Sequence, residues 1–198
     1  MMAAAQLEVV EQAVTLENLQ GYGDVSIAFR VESFLRIEPI ERGLDGFNFS
    51  EEPAEPYIKD YDAHVGPDDG SPARWLRWAS PRSCLLVALE GGQRVGGAVV
   101  FSHVEGMGFL RGRPDTAALW DIRVAPERRG RGIGTALFRA AVGWSRARGF
   151  QRLKIETQNI NVAACRFYAG QGCYLGGIER HAYRDYPEEI ELIWYREL

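Results

Sequence analysis

The sequence predicts a mixed α/β fold: one central sheet flanked by helices. Two observations carry this. The C-terminal half alternates strand and helix patterns, "TAALWDIRVAP", "GIGTALFRAAVGWSRARG", "FQRLKIET" and "NVAACRFYAGQG", and a strand–helix–strand crossover requires parallel pairing. The middle of the chain holds two apolar runs joined by "EGGQ", which signals an antiparallel hairpin. Parallel and antiparallel neighbours in one chain make a mixed sheet.

Taken in order, residues 25–40, "VSIAFRVESFLRIEPI", are rich in β-branched and aromatic side chains and read as a strand. Residues 41–73 are turn-rich, with four prolines in 53–73, and read as a long surface excursion of the kind that often carries function. A short helical piece follows at Arg74–Trp78, then the hairpin "SCLLVALEGGQRVGGAVVFSHVEG". The next strand ends at Pro126. In the long helix Ile133, Leu137, Ala141 and Trp144 form one stripe, basic residues fill the last turn, and Gly149 stops it. Leu153, Ile155 and Thr157 alternate with Arg152, Lys154 and Glu156, the period of a strand. Asn161 opens a short helix that Gly172 closes, and "CYLGGIERHAYRDY" and "EIELIWYREL" are the last two strands. From the hairpin onward the order is β-β-β-α-β-α-β-β.

A length of 198 residues suffices for one domain with a full core, and 46% hydrophobic and 25% charged residues are ordinary for a soluble protein. The formal charge of −4 argues against a nucleic-acid partner and suits a cationic small substrate. Cys84, Cys165 and Cys173 have no metal-ligand spacing and fit a reducing cytoplasm; Cys165 reads as a small buried hydrophobe. His64, His103 and His181 are dispersed, so no metal site is expected. The start, "MMAAAQLEVVEQAV", lacks a basic n-region, and no apolar run reaches the roughly 20 residues of a membrane span.

The loop "RRGRGIGT" sits between a strand and a helix, where an anion belongs: free N–H groups and the positive end of the helix dipole point at a ligand there. Gly130, Gly132 and Gly134 remove the β-carbons that would hold a phosphate away, and Arg128, Arg129 and Arg131 add charge. It is not a P-loop, because no lysine follows a glycine, and not a dinucleotide fingerprint, because the spacing is G-x-G-x-G. Taken alone, it also reads as a glycine-rich turn with solvated arginines.

The pattern R-x-x-G-x-G at Arg129, Gly132 and Gly134 resembles the signature of the GNAT superfamily of N-acetyltransferases, and "DIRVAP" before it and "NVAACRFYAGQG" after it keep that family's order. The resemblance implies a sheet of about seven strands with a splayed pair that binds acetyl-CoA as co-substrate. The implied domain covers 1–198, with a variable acceptor-side segment at about 41–80 and a cofactor-binding core at about 84–172. Arg129, Gly130, Arg131, Gly132, Ile133, Gly134 and Thr135 would hold the pyrophosphate. Ile122 and Val124, with Arg123 between them, would meet the pantetheine arm and the acetyl carbonyl. Asn161, Ala164 and Tyr168 share one helix face; Ala164 lets the thioester arm lie close while Asn161 and Tyr168 touch it. "ETQNINVAACRFYAGQGCYLGGI", "EIELIWYREL" and "EPYIKDYD" are similar to segments of streptothricin acetyltransferases, implying a small amine-bearing acceptor and antibiotic resistance. Relatives are often dimers, so a homodimer is compatible. Cys173 stands where relatives usually have Phe.

The implied reaction moves acetyl from the thioester to a primary amine. Deprotonating a lysine-like amine with a pKa of about 10.4 costs about 4–5 kcal/mol at pH 7, which a general base would ease. Tyr168 is the candidate acid for the CoA thiolate. Streptothricin-type relatives tend to carry Glu where this chain has Trp120, so the base is left to Asp121, to Glu156, or to an acid of the variable segment. Asp121 has the alternative of pairing with Arg123 or a neighbouring strand, and Trp120 that of a core residue instead of a pocket wall. Asp60, Tyr61, Trp120 and Glu156 are the candidate acceptor contacts. Two other readings stay open: a protein or peptide N-acetyltransferase, and a CoA-binding module without catalysis.

Overall fold

The structure, a computed structural model, describes residues 6–63, 71–102 and 107–198. In chain order the elements are β1 (Leu7–Gln12), α1 (Leu16–Gly23), β2 (Phe29–Pro39), β3 (Phe47–Lys59), β4 (Cys84–Glu90), β5 (Gln93–Phe101), β6 (Thr116–Val124), α2 (Ile133–Ala147), β7 (Arg152–Gln158), α3 (Val162–Gly170), β8 (Tyr174–Glu179) and β9 (Glu191–Glu197). A 3-10 helix at Pro72–Trp78 stands where a short helical piece is expected. Seven strands follow the order β1-β4-β5-β6-β7-β9-β8, and β2 and β3 form a separate ribbon. β7 pairs parallel with β6, and the other recorded pairs are antiparallel, so the mixed sheet is as the sequence predicts. No helix among the described residues is long and apolar enough to cross a membrane.

The chain forms two compact units, with β7 running from one into the other. The first comprises the residues up to Ala28, Asp60–Ile155 and Arg196–Leu198. Its core gathers Leu19, Tyr22, Leu85, Val87, Val99, Phe101 and Ala118. α2 buries its predicted stripe, Ile133, Leu137, Ala141 and Trp144. The Trp144 indole donates to Glu11 at 2.9 Å and Arg148 donates to the same carboxylate at 2.9 Å, so the end of α2 is tied to β1.

Two elements of this unit escaped the sequence reading. β1 is short and its burial does not alternate cleanly. α1 has eight residues, capped by Thr15, whose side chain accepts from the Asn18 N–H at 3.2 Å. Leu19 and Tyr22, three apart, are its buried face. Tyr22 lies across β5 at Gly97: a Cβ there would stand 2.7 Å from both the Leu86 carbonyl and the Tyr22 ring. Only glycine admits that approach.

The second unit comprises Phe29–Lys59 and Glu156–Tyr195. Thirteen residues of the expected excursion at 41–73 prove to be β3. Its prolines suggest loop punctuation, but a two-stranded ribbon has two edges, where proline costs little. The register also jumps from Val31↔Tyr57 to Ser33↔Pro53, so residues 54–56 bulge out and absorb Pro56. Asn159, 2% exposed, anchors the unit. Its backbone and amide exchange hydrogen bonds with Leu35 of β2 at 2.9 and 3.1 Å, and with Ile190 at 3.0 and 2.9 Å. The end of β3 is fixed by a buried ion pair between Lys59 and Glu189, with the ammonium 3.9 Å from the Tyr186 ring centroid.

Candidate functional site

In the first unit Arg123 is the centre of a buried charge cluster. Its side chain is 1% exposed. Nε and Nη2 clamp Asp121 at 2.9 and 3.0 Å, Nη1 and Nη2 clamp Asp62 at 2.6 and 3.1 Å, and Nη1 also donates to the Val25 carbonyl at 3.2 Å. All five guanidinium N–H donors are therefore used. The Tyr22 hydroxyl donates to Asp121 as well, and the Arg123 carbon sits 4.7 Å from the Tyr22 ring centroid. Burial works against the Arg123 cation, yet the Asp121 charge and the Tyr22 hydroxyl leave it more firmly protonated than a free arginine. Burial raises the Asp62 pKa in spite of Arg123. It also pushes the Tyr22 phenol well up, with the Asp121 charge adding to the rise. Of the two readings open for Asp121, the geometry displays the pairing with Arg123. The Asp60 carboxylate accepts the Asp62 N–H at 3.0 Å, closing the turn that presents Asp62. Asp60 and Tyr61 are half-buried beside it in the chain.

Trp120 occupies a β-bulge. Val99 faces Asp121 while the next residue, Val100, faces Leu119, so Trp120 is the extra residue of β6. The parallel ladder to β7 runs from Thr116↔Arg152 to Leu119↔Ile155 and stops there, while β6 continues along β5 to Val124. A bulge bends its strand and re-aims the residues beyond it, which is how Ile122 and Val124 leave that ladder. The Trp120 ring is packed edge-on among Trp78 at 4.6 Å, Phe109 at 6.0 Å, Phe101 at 6.2 Å and Trp75 at 6.5 Å. It is a partly buried member of an aromatic cluster.

The glycine loop opens α2 as the sequence suggests. Gly130 and Gly132 have φ of 75° and 83°, a region that glycine enters without strain. Gly132 is the N-cap and has no side chain to cap with, so the first N–H groups of α2 have no acceptor from that residue. The arginines divide their work. Arg128 pairs with Glu90 at 2.6 Å. Arg129 donates to the Val124 carbonyl at 2.9 Å and to the Ser26 carbonyl at 3.3 Å, so it braces the loop from within. Arg131 is exposed. Ile133 is buried, while Gly134 and Thr135 are half-buried on the first turn.

In the second unit Glu156 and Gln158 lie two residues apart on one face of β7. The Tyr183 hydroxyl donates to Glu156 at 2.7 Å and accepts from the Gln158 amide at 2.8 Å. Burial first, then the Glu156 charge, drives the Tyr183 pKa far above that of a free phenol. Asn161 caps α3, its Oδ1 accepting from the Ala164 N–H at 3.1 Å. Ala164 is half-buried and Tyr168 buried, the latter with its ring 5.4 Å from Phe167 and 6.4 Å from Trp194. Burial raises the Cys165 thiol to about 12, which suits a packing role. His64 and His103 lie outside the described residues.

Four residues central to this geometry were not singled out for a role: Tyr22, Trp75, Asn159 and Tyr183. Asp62 is one of several acids that crowd the variable segment, and nothing in its neighbours sets it apart. Their partners lie far along the chain, 99 residues for Tyr22–Asp121 and 61 for Arg123–Asp62, so no local pattern marks them. For Tyr22 a faint signal existed in its spacing from Leu19 behind a Thr cap.

The chain matches the acetyltransferase (GNAT) family over residues 48–173. Streptothricin acetyltransferase of Streptomyces lavendulae is 29% identical over 183 residues, 92% of this chain and 87% of that protein. Streptothricin acetyltransferase A of Bacillus subtilis (strain 168) is 40% identical over 81 residues, which is 40% of this chain and 47% of that protein. Among solved structures, a Bacillus anthracis str. Ames protein described as a streptothricin acetyltransferase, in complex with acetyl coenzyme A, has a TM-score of 0.75 at 23% identity, with 98% of this chain and 99% of that one covered. With the family matched over more than half of its length, this chain belongs to the acetyltransferase (GNAT) family.

Proposed function

We propose that the protein is an acetyl-CoA-dependent N-acetyltransferase that acetylates a primary amine of a small cationic acceptor of the streptothricin type. The observation that carries this reading is the glycine loop: two positive-φ glycines lead into a helix whose N-cap has no side chain. Such a terminus favours an anion through its N–H groups and dipole. Its first-turn N–H groups, with Gly130, Arg131 and Thr135, would take the pyrophosphate, and Arg129 would keep the loop in shape. Past the bulge at Trp120, the backbone of Ile122 and Val124 would meet the pantetheine arm. Asn161 and Ala164 would line its thioester end, and Tyr168 would protonate the departing thiolate. The acidic turn at Asp60–Asp62 and the aromatic cluster around Trp120 suit a cationic acceptor with apolar parts. Similarity to the Streptomyces lavendulae enzyme, 29% identical over 92% of the chain, supports the choice of acceptor.

The test is competition between acceptors. With saturating acetyl-CoA, streptothricin is expected to give at least tenfold higher kcat/KM for CoA-thiol release than a peptide with a free N-terminal amine. A preference for the peptide would overturn the acceptor and leave the acetyltransferase standing.

A further inference from the structure

We propose that two copies of this chain associate through the outer edge of β3, antiparallel about a two-fold axis at Phe49, so that their β2–β3 ribbons join into one four-stranded sheet.

Among the described residues β3 pairs with β2 alone, which leaves its other edge open. Only part of that edge is guarded. Pro53 and Pro56 have no N–H to offer a neighbour, whereas residues 47–52 keep theirs and can template another strand. Phe47 and Phe49 lie two apart on one face of β3, and each is 40% exposed. At the tip of the ribbon Leu44 is 91% exposed. The tip is nevertheless closed by backbone bonds: the Gly43 N–H donates to the Ile40 carbonyl at 2.7 Å, Leu44 to Glu41 at 3.1 Å and Ile40 to Gly46 at 3.0 Å. Glu41 and Arg42 hold φ of 45° and 58°, a strained region for side chains other than glycine, and such strain gathers at contact sites.

The register points to a second copy as the occupant. Antiparallel neighbours related by a two-fold axis carry the same side chains on the same face, so one residue must face itself. With Phe49 on the axis, Phe49 meets Phe49 and Phe47 meets Glu51, while Asn48 meets Ser50 on the other face. Aromatic and polar cross-strand pairs of this kind stabilise a ladder. Glu51 brings no loose charge, because it pairs with Arg166 of α3. Counted past the end of the strand, the same register sets Leu44 against Ala54 and Arg42 beside Glu55. The tip of each copy thus reaches the bulge of the other with one apolar and one oppositely charged contact. Moving the axis to Ser50 sets Asp45 against Glu55, and moving it to Asn48 sets Asp45 against Glu51. Like charges directly opposed destabilise a ladder, so the charges select Phe49.

The test uses the full chain. Light scattering is expected to give twice the mass of one chain. Phe49→Glu and Phe49→Lys each place like charges on the axis and should raise the dimer Kd about tenfold or more; mixing the two variants should restore the dimer. The native thiols Cys84, Cys165 and Cys173 are buried, so an introduced thiol reports alone. Under mild oxidation Phe49→Cys should cross-link with itself about tenfold faster than Asn48→Cys or Ser50→Cys alone, because only opposed residues on one face come within disulfide reach. Asn48→Cys and Ser50→Cys should cross-link when mixed. Circular dichroism of every variant should match the wild type. A monomer at every concentration overturns the interface, as does a dimer that Phe49→Glu leaves intact. A monomer whose β3 edge takes up a different protein overturns it equally. If Phe49→Glu does not fold, the order of cross-linking decides, and equal rates at 48, 49 and 50 would count against the register.

Discussion

Tyr168→Phe is expected to lower kcat by about a hundredfold or more, the usual contribution of a positioned general acid, with little change in acetyl-CoA affinity. The substitution removes only the hydroxyl. The ring stays against Phe167 and Trp194, so α3 keeps its packing and its Asn161 cap. The departing thiolate then has to take its proton from water. Steady-state kinetics with calorimetric measurement of acetyl-CoA binding checks this, and the deficit should narrow with acyl thioesters whose thiols are better leaving groups. An unchanged kcat would remove Tyr168 from the chemistry and leave it a core aromatic.

Arg123→Met has the largest expected effect on stability. It leaves Asp121 and Asp62 facing each other without the cation that all five guanidinium donors supplied. Removing one partner of a buried ion cluster costs about 3–5 kcal/mol, which for a chain of this length lowers Tm by about 10 °C. The sign of the pH response follows. Burial already raises the Asp62 pKa with Arg123 present, and without it the folded state prefers the protonated acid still more. The variant's deficit should therefore shrink as pH falls through the raised pKa and be full above it. Adding Asp62→Asn and Asp121→Asn should recover much of the loss, since neutral groups need no counter-charge. Thermal unfolding at neutral and mildly acid pH checks both parts.

What the sequence displayed and what it hid divide along a physical line. α2 was legible because Ile133, Leu137, Ala141 and Trp144 repeat at helical spacing, and all four are buried. The glycine loop was legible because positive φ at Gly130 and Gly132 demands that residue type. β3 was hidden because Pro53 and Pro56 punctuate it, and only the register jump opposite Val31 and Ser33 shows how an edge strand carries them. The bulge at Trp120 was hidden because an extra residue is defined by its partner strand, not by its own. For the same reason the sequence left Asp121 divided between catalysis and pairing: its engagement depends on Tyr22 and on Arg123 being drawn inward, and the first of these lies in a helix too short to announce itself. Glu156 is one of three options for the base in the sequence, and nothing local marks its partner Tyr183, 27 residues away.

Passage of acetyl from CoA to an amine on this chain is open to direct observation. The most direct measurement uses acetyl-CoA labelled in the acetyl group, with streptothricin as acceptor, and follows thiol release and labelled amide together. One labelled N-acetyl group on the acceptor is expected for each thiol released. Thiol release without labelled amide, or no release with any amine while acetyl-CoA still binds, would contradict it.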